Sequence, residues 1–171
     1  IFYSKSEINE IISKSKKLIK DHLGINITSF RWGNWALNTD SVSILEKNNI
    51  KIDSSSSPEI KGHINNEMAY DWSKTKRHYP WLLSKTNYQN TNHQNSKVLE
   101  IPIATFKFFN FTLRADPANS HLLISCFDQY YLNTNRSKKP FKFVVISHSS
   151  EATHKDGTTT NIIKSTEEFI K

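Results

Sequence analysis

Residues 29–58, SFRWGNWALNTDSVSILEKNNIKIDSSSSP, contain a strand, a helix and a second strand in quick succession. Ile25, Ile27 and Phe30 surround small polar residues, which predicts a short strand over roughly 26–31 that ends at Arg31. Thr39 or Asn38 then caps a helix carrying Val42, Ile44 and Leu45, which stops near Asn48-Asn49. Ile50-Lys51-Ile52 reads as a second strand, and it ends at Asp53 in a turn of four serines, Ser54 to Ser57. Strands joined through a helix run parallel, because a tight hairpin would need only a few residues between them.

The same alternation continues on both sides. Upstream, Ser4-Lys5-Ser6-Glu7 forms a capping-box sequence, Ile8, Ile11, Ile12, Leu18 and Ile19 recur at helical spacing, and Gly24 offers a stop, so a helix is predicted over 5–23. Downstream, the pattern predicts a strand over 98–106, a helix over 120–132, a strand over 141–147 and a last helix over 160–170, with a long irregular region before them. Residues 85–97, KTNYQNTNHQNSK, carry almost no core-forming side chain and read as a surface loop. The unbroken run Phe143-Val144-Val145-Ile146 fits a strand covered on both faces. The expected fold class is α/β, one domain over residues 1–171, with mostly parallel strands alternating with helices.

Composition narrows the functional classes. With 171 residues, 36% hydrophobic and 23% charged, the chain has the material for one globular core. It contains no apolar run of membrane-spanning length. A single cysteine, Cys126, among Leu122, Leu123 and Phe127, excludes an internal disulfide framework and a cysteine-based zinc cluster, and reads as an inert buried thiol. The net charge of +7 raises the question of a nucleic-acid partner, but 19 of the 23 basic residues are lysines scattered along the chain. A basic stripe is what phosphate binding needs, so a solvated lysine surface is the preferred reading and no nucleic acid is expected.

In parallel α/β sheets, sites collect at the carboxyl ends of the strands, where the loops enter the following helices. Three ionisable residues fall there: Arg31, Asp53 and His148. Arg31 is read either as a surface arginine in a structural ion pair or as a site residue. Asp53 before serine forms an Asx-turn readily, so turn and site readings both stand. His148, directly after a buried strand, is suited to proton transfer near neutral pH, or is a structural histidine. Trp32, Asn34 and Trp35 lie just past the first strand, where indoles either stack on a sugar ring or fill the core. Tyr70-Asp71-Trp72 and Tyr79-Pro80-Trp81 form a second aromatic group with the same two readings. His148 and His154 have no recognised metal-ligand spacing, and no metal ligand is assigned within the chain.

Four stretches, in order, carry a family resemblance: SFRWGNWALN, NNIKIDSSSSP, LEIPIATF and FVVISHSS, with YDWSKTKRHYPW between the second and third. Together they resemble the C-terminal half of the polysaccharide deacetylases, carbohydrate esterases with a NodB homology domain, over roughly residues 5–165. The resemblance implies a distorted (β/α) barrel that hydrolyses N-acetyl groups on an N-acetylated polysaccharide or oligosaccharide. It also implies one divalent metal, often Zn²⁺, held by an aspartate and a His-x-x-x-His pair of the family's N-terminal half. No His-x-x-x-His occurs in these 171 residues, so those ligands are expected upstream, in a longer enzyme. By motif match Arg31 would orient a catalytic base, His148 would be the general acid and Asp53 would bias its charge. Trp32, Asn34, Trp35 and Trp72 are the expected sugar contacts. Where many members have a proline after the motif arginine, this chain has Trp32-Gly33-Asn34.

Two other functions compete with the hydrolase. One is a non-catalytic carbohydrate-binding remnant of the same fold, and the other a basic nucleic-acid-binding domain. Localisation is left open between the bacterial cytoplasm and the cell envelope.

Overall fold

The computed structural model describes residues 3–37, 39–64, 67–75, 78–84, 95–115, 120–138 and 141–146. Helix α1 spans Lys5–Leu23, as its end signals require. Ser4 Oγ accepts from the Glu7 N–H, the Glu7 carboxylate accepts from the Ser4 N–H at 2.6 Å, and Gly24 closes the helix in the left-handed conformation (φ 69°). Its inner face buries Ile8 and Ile12.

Strand β1 (Ser29–Phe30), a 3-10 turn at Gly33–Trp35, α2 (Thr39–Lys47) and β2 (Ile52–Asp53) follow, with β1 and β2 parallel. The unit read from the opening stretch is therefore present. Next come the hairpin β3 (Lys61–Ile64) and β4 (Glu67–Asp71), then β5 (Trp81–Ser84) and β6 (Asn95–Glu100). A second hairpin, β7 (Thr105–Phe108) and β8 (Phe111–Arg114), leads into α3 (Ser120–Ser137).

The main sheet has the order β1-β2-β6-β5. Its first three strands are parallel, and β5 runs antiparallel at the far edge. The fold is mixed α/β with a parallel-strand sheet, and among the described residues that sheet does not close into a barrel. Strand β1 is one of its edges, only two residues long, which limits the unpaired backbone it presents.

Two apolar cores support this frame. The first gathers Ile8, Ile12, Val42, Leu45, Ile50, Trp72, Trp81, Leu83 and Val98 between α1, α2 and the sheet. A fully buried leucine such as Leu45 contributes about 2 kcal/mol there. The second joins Ala104, Phe106, Ala115, Leu123, Cys126 and Tyr130 between the β7–β8 hairpin and α3, with Phe141, Phe143 and Val145 against it.

The structure corrects three sequence expectations. The strand predicted over 98–106 is two strands, because the backbone changes partners after Glu100: Pro102 has no N–H, Ile103 N donates to Ser56 O, and Ala104 N donates to Val144 O. The run from Phe141 joins no sheet over its described residues, 141–146. Its aromatic rings pack edge-on instead against Phe127 and Tyr130 of α3. The region read as irregular, between Asp53 and Val98, contains β3, β4 and β5. The helix expected over 160–170 lies outside the described residues. No helix among those described is long and apolar enough to cross a membrane.

Candidate active site at the strand ends

The parallel register sets the site. Phe30 pairs with Asp53, and Asp53 pairs with Glu100, so the carboxyl ends of β1, β2 and β6 lie side by side. Arg31 follows the first, Asp53 ends the second and Glu100 ends the third. The serine turn lies across all three. Ser54 N donates to Phe30 O, Ser54 Oγ donates to Ile101 O at 2.7 Å, and Ile103 N donates to Ser56 O.

Arg31 is exposed, but its guanidinium is fixed. Nε donates to Ser54 O at 2.9 Å and Nη2 to Ser54 Oγ at 3.0 Å. Arg31 and Ser54 line an open hollow of about 320 Å³ with Phe30 and Ile52. Beneath the turn the arrangement inverts, because Asp53, Ser55, Ser56, Ser57 and Glu100 are all buried. Asp53 Oδ2 accepts from Ser55 N–H, the Asx-turn expected from the sequence, and Glu100 Oε1 accepts from Ser56 N–H at 2.8 Å.

Asp53 and Glu100 face each other. Apart from one another, Asp53 Oδ1 and Glu100 Oε2 have no hydrogen-bond partner among the described residues. Two ionised carboxylates at hydrogen-bonding distance repel by roughly 5 kcal/mol even at an effective dielectric of about 20. One shared proton removes that repulsion and satisfies both orphaned oxygens. Burial and then the neighbouring Asp53 charge hold the Glu100 carboxyl well above the usual carboxylate range. Burial also raises Asp53, opposed by its hydrogen bonds to Glu100 and Ser55 and by the Arg31 charge. Asp53 and Glu100 therefore titrate as a pair that holds one proton between them beside the Arg31 charge.

Trp32 is partly buried and packs edge-on against Phe30 at 5.2 Å, and its backbone N–H donates to Ser55 Oγ. Asn34 lies in the 3-10 turn, and its side chain is outside the described residues. Trp35 has φ 54°, and its carbonyl accepts from Trp72 Nε1 at 3.1 Å. Trp72 itself is fully buried, so its place is in the core, anchoring Trp35 from beneath. His148 and His154 lie outside the described residues.

The sequence reading missed Glu100 and Arg114, and it named Tyr70 only within the second aromatic group. Glu100 left one signal, a lone carboxylate in the apolar segment Val98 to Ile103. Tyr70 sits edge-on to Trp35 at 5.3 Å, and the Arg114 guanidinium lies over that indole, 4.4 Å from the ring centroid. A second polar hollow, of about 150 Å³, holds Glu59, His78 and Lys107. There Glu59 lies 3.7 Å from Lys107 Nζ and 3.9 Å from His78 Nε2, and burial lowers the His78 pKa.

Among the described residues no three histidine, cysteine, aspartate or glutamate side chains converge. Asp53 and Glu100 are turned to each other, and the Arg31 charge lowers the Asp53 pKa as the least of its causes. The ligands of the divalent metal that the resemblance implies are expected upstream of this chain, and no step of the reaction is routed through it here. Comparison with protein-family models, with curated proteins and with solved structures gives no match to this chain.

Proposed function

We propose that this chain is the second half of a polysaccharide deacetylase, acting on the N-acetyl groups of a cell-surface or cell-wall polysaccharide. One observation carries the reading: Arg31, Asp53 and Glu100 stand at the carboxyl ends of three adjacent parallel strands, with an anchored guanidinium above a buried carboxyl pair. The open edge at β1 supports placing this sheet within a larger, distorted barrel.

Hydrolysis of an acetamide adds the oxygen of water to the carbonyl carbon and breaks the C–N bond, and the departing nitrogen must take up a proton. In this reading His148 gives that proton. Arg31, with Nε and Nη2 held by Ser54, turns its remaining N–H groups to the base that activates water, an aspartate expected upstream. The single negative charge retained by the Asp53–Glu100 pair favours the imidazolium that the acid role requires.

The test uses the full-length protein and acetate release from an N-acetylated oligosaccharide. His148→Ala is expected to lower turnover by about 10²- to 10⁴-fold with an unchanged melting temperature. Full turnover in a folded variant assigns the proton to another residue, and loss of the fold makes His148 structural. A second reading, sugar binding without hydrolysis, draws on the aromatic and cationic cleft at Trp35, Tyr70 and Arg114. No acetate release from any oligosaccharide that the full-length protein binds would favour it.

A further inference from the structure

A cleft of about 400 Å³ opens beside the 3-10 turn, between Ile60, Tyr70, Phe106, Leu113, Arg114 and Leu122. That volume is within the range of small-ligand sites, about 300–1,000 Å³. Its walls are mostly apolar and aromatic, and Arg114 is its one cation among the described residues. No carboxylate among those residues pairs with Arg114.

Each wall is held from behind. Arg114 ends β8 opposite Thr105, and the next residue, Ala115, is buried and donates its N–H to Ala104 O at 2.8 Å. One face of the guanidinium is covered by the Trp35 indole, which leaves its in-plane N–H edge for a ligand. Trp35 is pinned by the Trp72 Nε1 bond to its carbonyl and by its own N–H to Trp32 O. Tyr70 lies on Gly62 of the paired strand, where a Cβ would come within 2.3 Å of its ring.

The choice of base is also informative. The chain meets its general need for positive charge with 19 lysines and has only four arginines. Two of them, Arg31 and Arg114, use the flat guanidinium in ways an ammonium cannot, one as a fork on Ser54 and one stacked on an indole. A stacked arginine at an apolar cleft fits an anion carried on a ring with a hydrophobic face. A single cation matches a single negative charge, whereas a phosphate dianion calls for further donors.

We propose that this cleft binds a carboxylate-bearing sugar residue, such as a uronic acid, with Arg114, backed by Trp35, taking the carboxylate and Tyr70, Phe106 and Leu113 forming the apolar walls. The inference rests on the carbohydrate reading above for its ligand class, and it makes the substrate an acidic polysaccharide. Trp35 is four residues beyond Arg31, so the cleft and the strand-end site share the segment that links them.

The experiment follows tryptophan fluorescence of the full-length protein during titration with two oligosaccharides of equal length. One alternates N-acetylglucosamine with glucuronate, and the other is N-acetylglucosamine alone. The acidic oligosaccharide is expected to bind about tenfold more tightly, with the preference shrinking as salt is added. Arg114→Met is expected to abolish the preference for the acidic oligosaccharide over the neutral one. Should that variant fail to fold, the carboxyl-reduced form of the acidic oligosaccharide, titrated into the unaltered protein, asks the same question. Equal binding of acidic and neutral forms, a preference retained by Arg114→Met or by the reduced ligand, or displacement by inorganic phosphate at equal concentration would each overturn the proposal. Acetate release separates the two readings. Acidic binding with no hydrolysis of any oligosaccharide keeps the subsite and rejects the deacetylase, whereas hydrolysis with no acidic preference does the reverse.

Discussion

The strand-end site and the Trp35 cleft lie on one chain segment yet handle charge in opposite ways. At the strand ends the carboxyl groups are buried and answered from within: the backbone N–H groups of Ser55 and Ser56 and a shared proton balance Asp53 and Glu100. At the cleft the charge is set on an aromatic face and left for something outside the described residues to answer. The first arrangement fixes geometry because each member needs the others. The second tolerates change, because its groups meet through surfaces rather than through obligatory bonds.

If that contrast holds, the largest loss of stability follows from breaking the buried pair. Asp53→Ala removes the acceptor for Ser55 N–H and leaves buried Glu100 Oε2 without its partner, at a cost of about 3 kcal/mol in denaturant unfolding. A cost below 1 kcal/mol would show that the pair is loosely held. At the cleft, Gly62→Ala drives a methyl group into the Tyr70 ring. It is expected to cost about 1–2 kcal/mol, and to change Trp35 fluorescence because Tyr70 abuts that indole. An unchanged spectrum would mean that Tyr70 does not set the Trp35 environment.

The third test sharpens the comparison through pH. The Glu100 carboxyl titrates higher in the folded than in the unfolded chain, so the folded state holds an extra proton. Its contribution to stability is complete below the unfolded value of about 4.3 and is lost as pH rises through the folded value. Glu100→Gln keeps the neutral shape and cannot ionise, so its stability relative to the unaltered protein should rise steadily from pH 5 to pH 8. A difference independent of pH would place the proton elsewhere. The smallest effect belongs to His78, whose folded pKa is lowered by burial. Its contribution is present above about 6.5 and is lost as pH falls, so His78→Phe should lessen the drop in melting temperature between pH 7 and pH 5.5. Equal drops in both proteins would remove His78 from the acid response.

What could be read from the sequence was local. The α1 capping box and Gly24, the strand-helix-strand unit, and the positions of Arg31 and Asp53 at strand ends all follow from residues close in the chain. Glu100 was hidden because its partner Asp53 is 47 residues away and the two meet only through sheet pairing. Arg114 was hidden for the same reason, since a stacked cation has no sequence spacing of its own, and so was the meeting of Tyr70 with Trp35. The misread run at 141–146 shows the limit of hydrophobicity alone: Phe141 and Phe143 seek an apolar surface, and helix α3 supplies one where a sheet was expected.

Cys126 gives the second core its own clock. The thiol is fully buried between α3 and the β7–β8 hairpin, and burial pushes its pKa up to about 12. It cannot be alkylated while the helix stays seated, because both the sulfur and its reactive thiolate are withheld. The rate at which a small alkylating reagent modifies it therefore counts the openings of that core, one molecule at a time. Trp72 and Trp81, sealed in the first core, respond only when that other half opens. Run side by side, the thiol and the indoles tell whether the two halves of this chain come apart together or in turn.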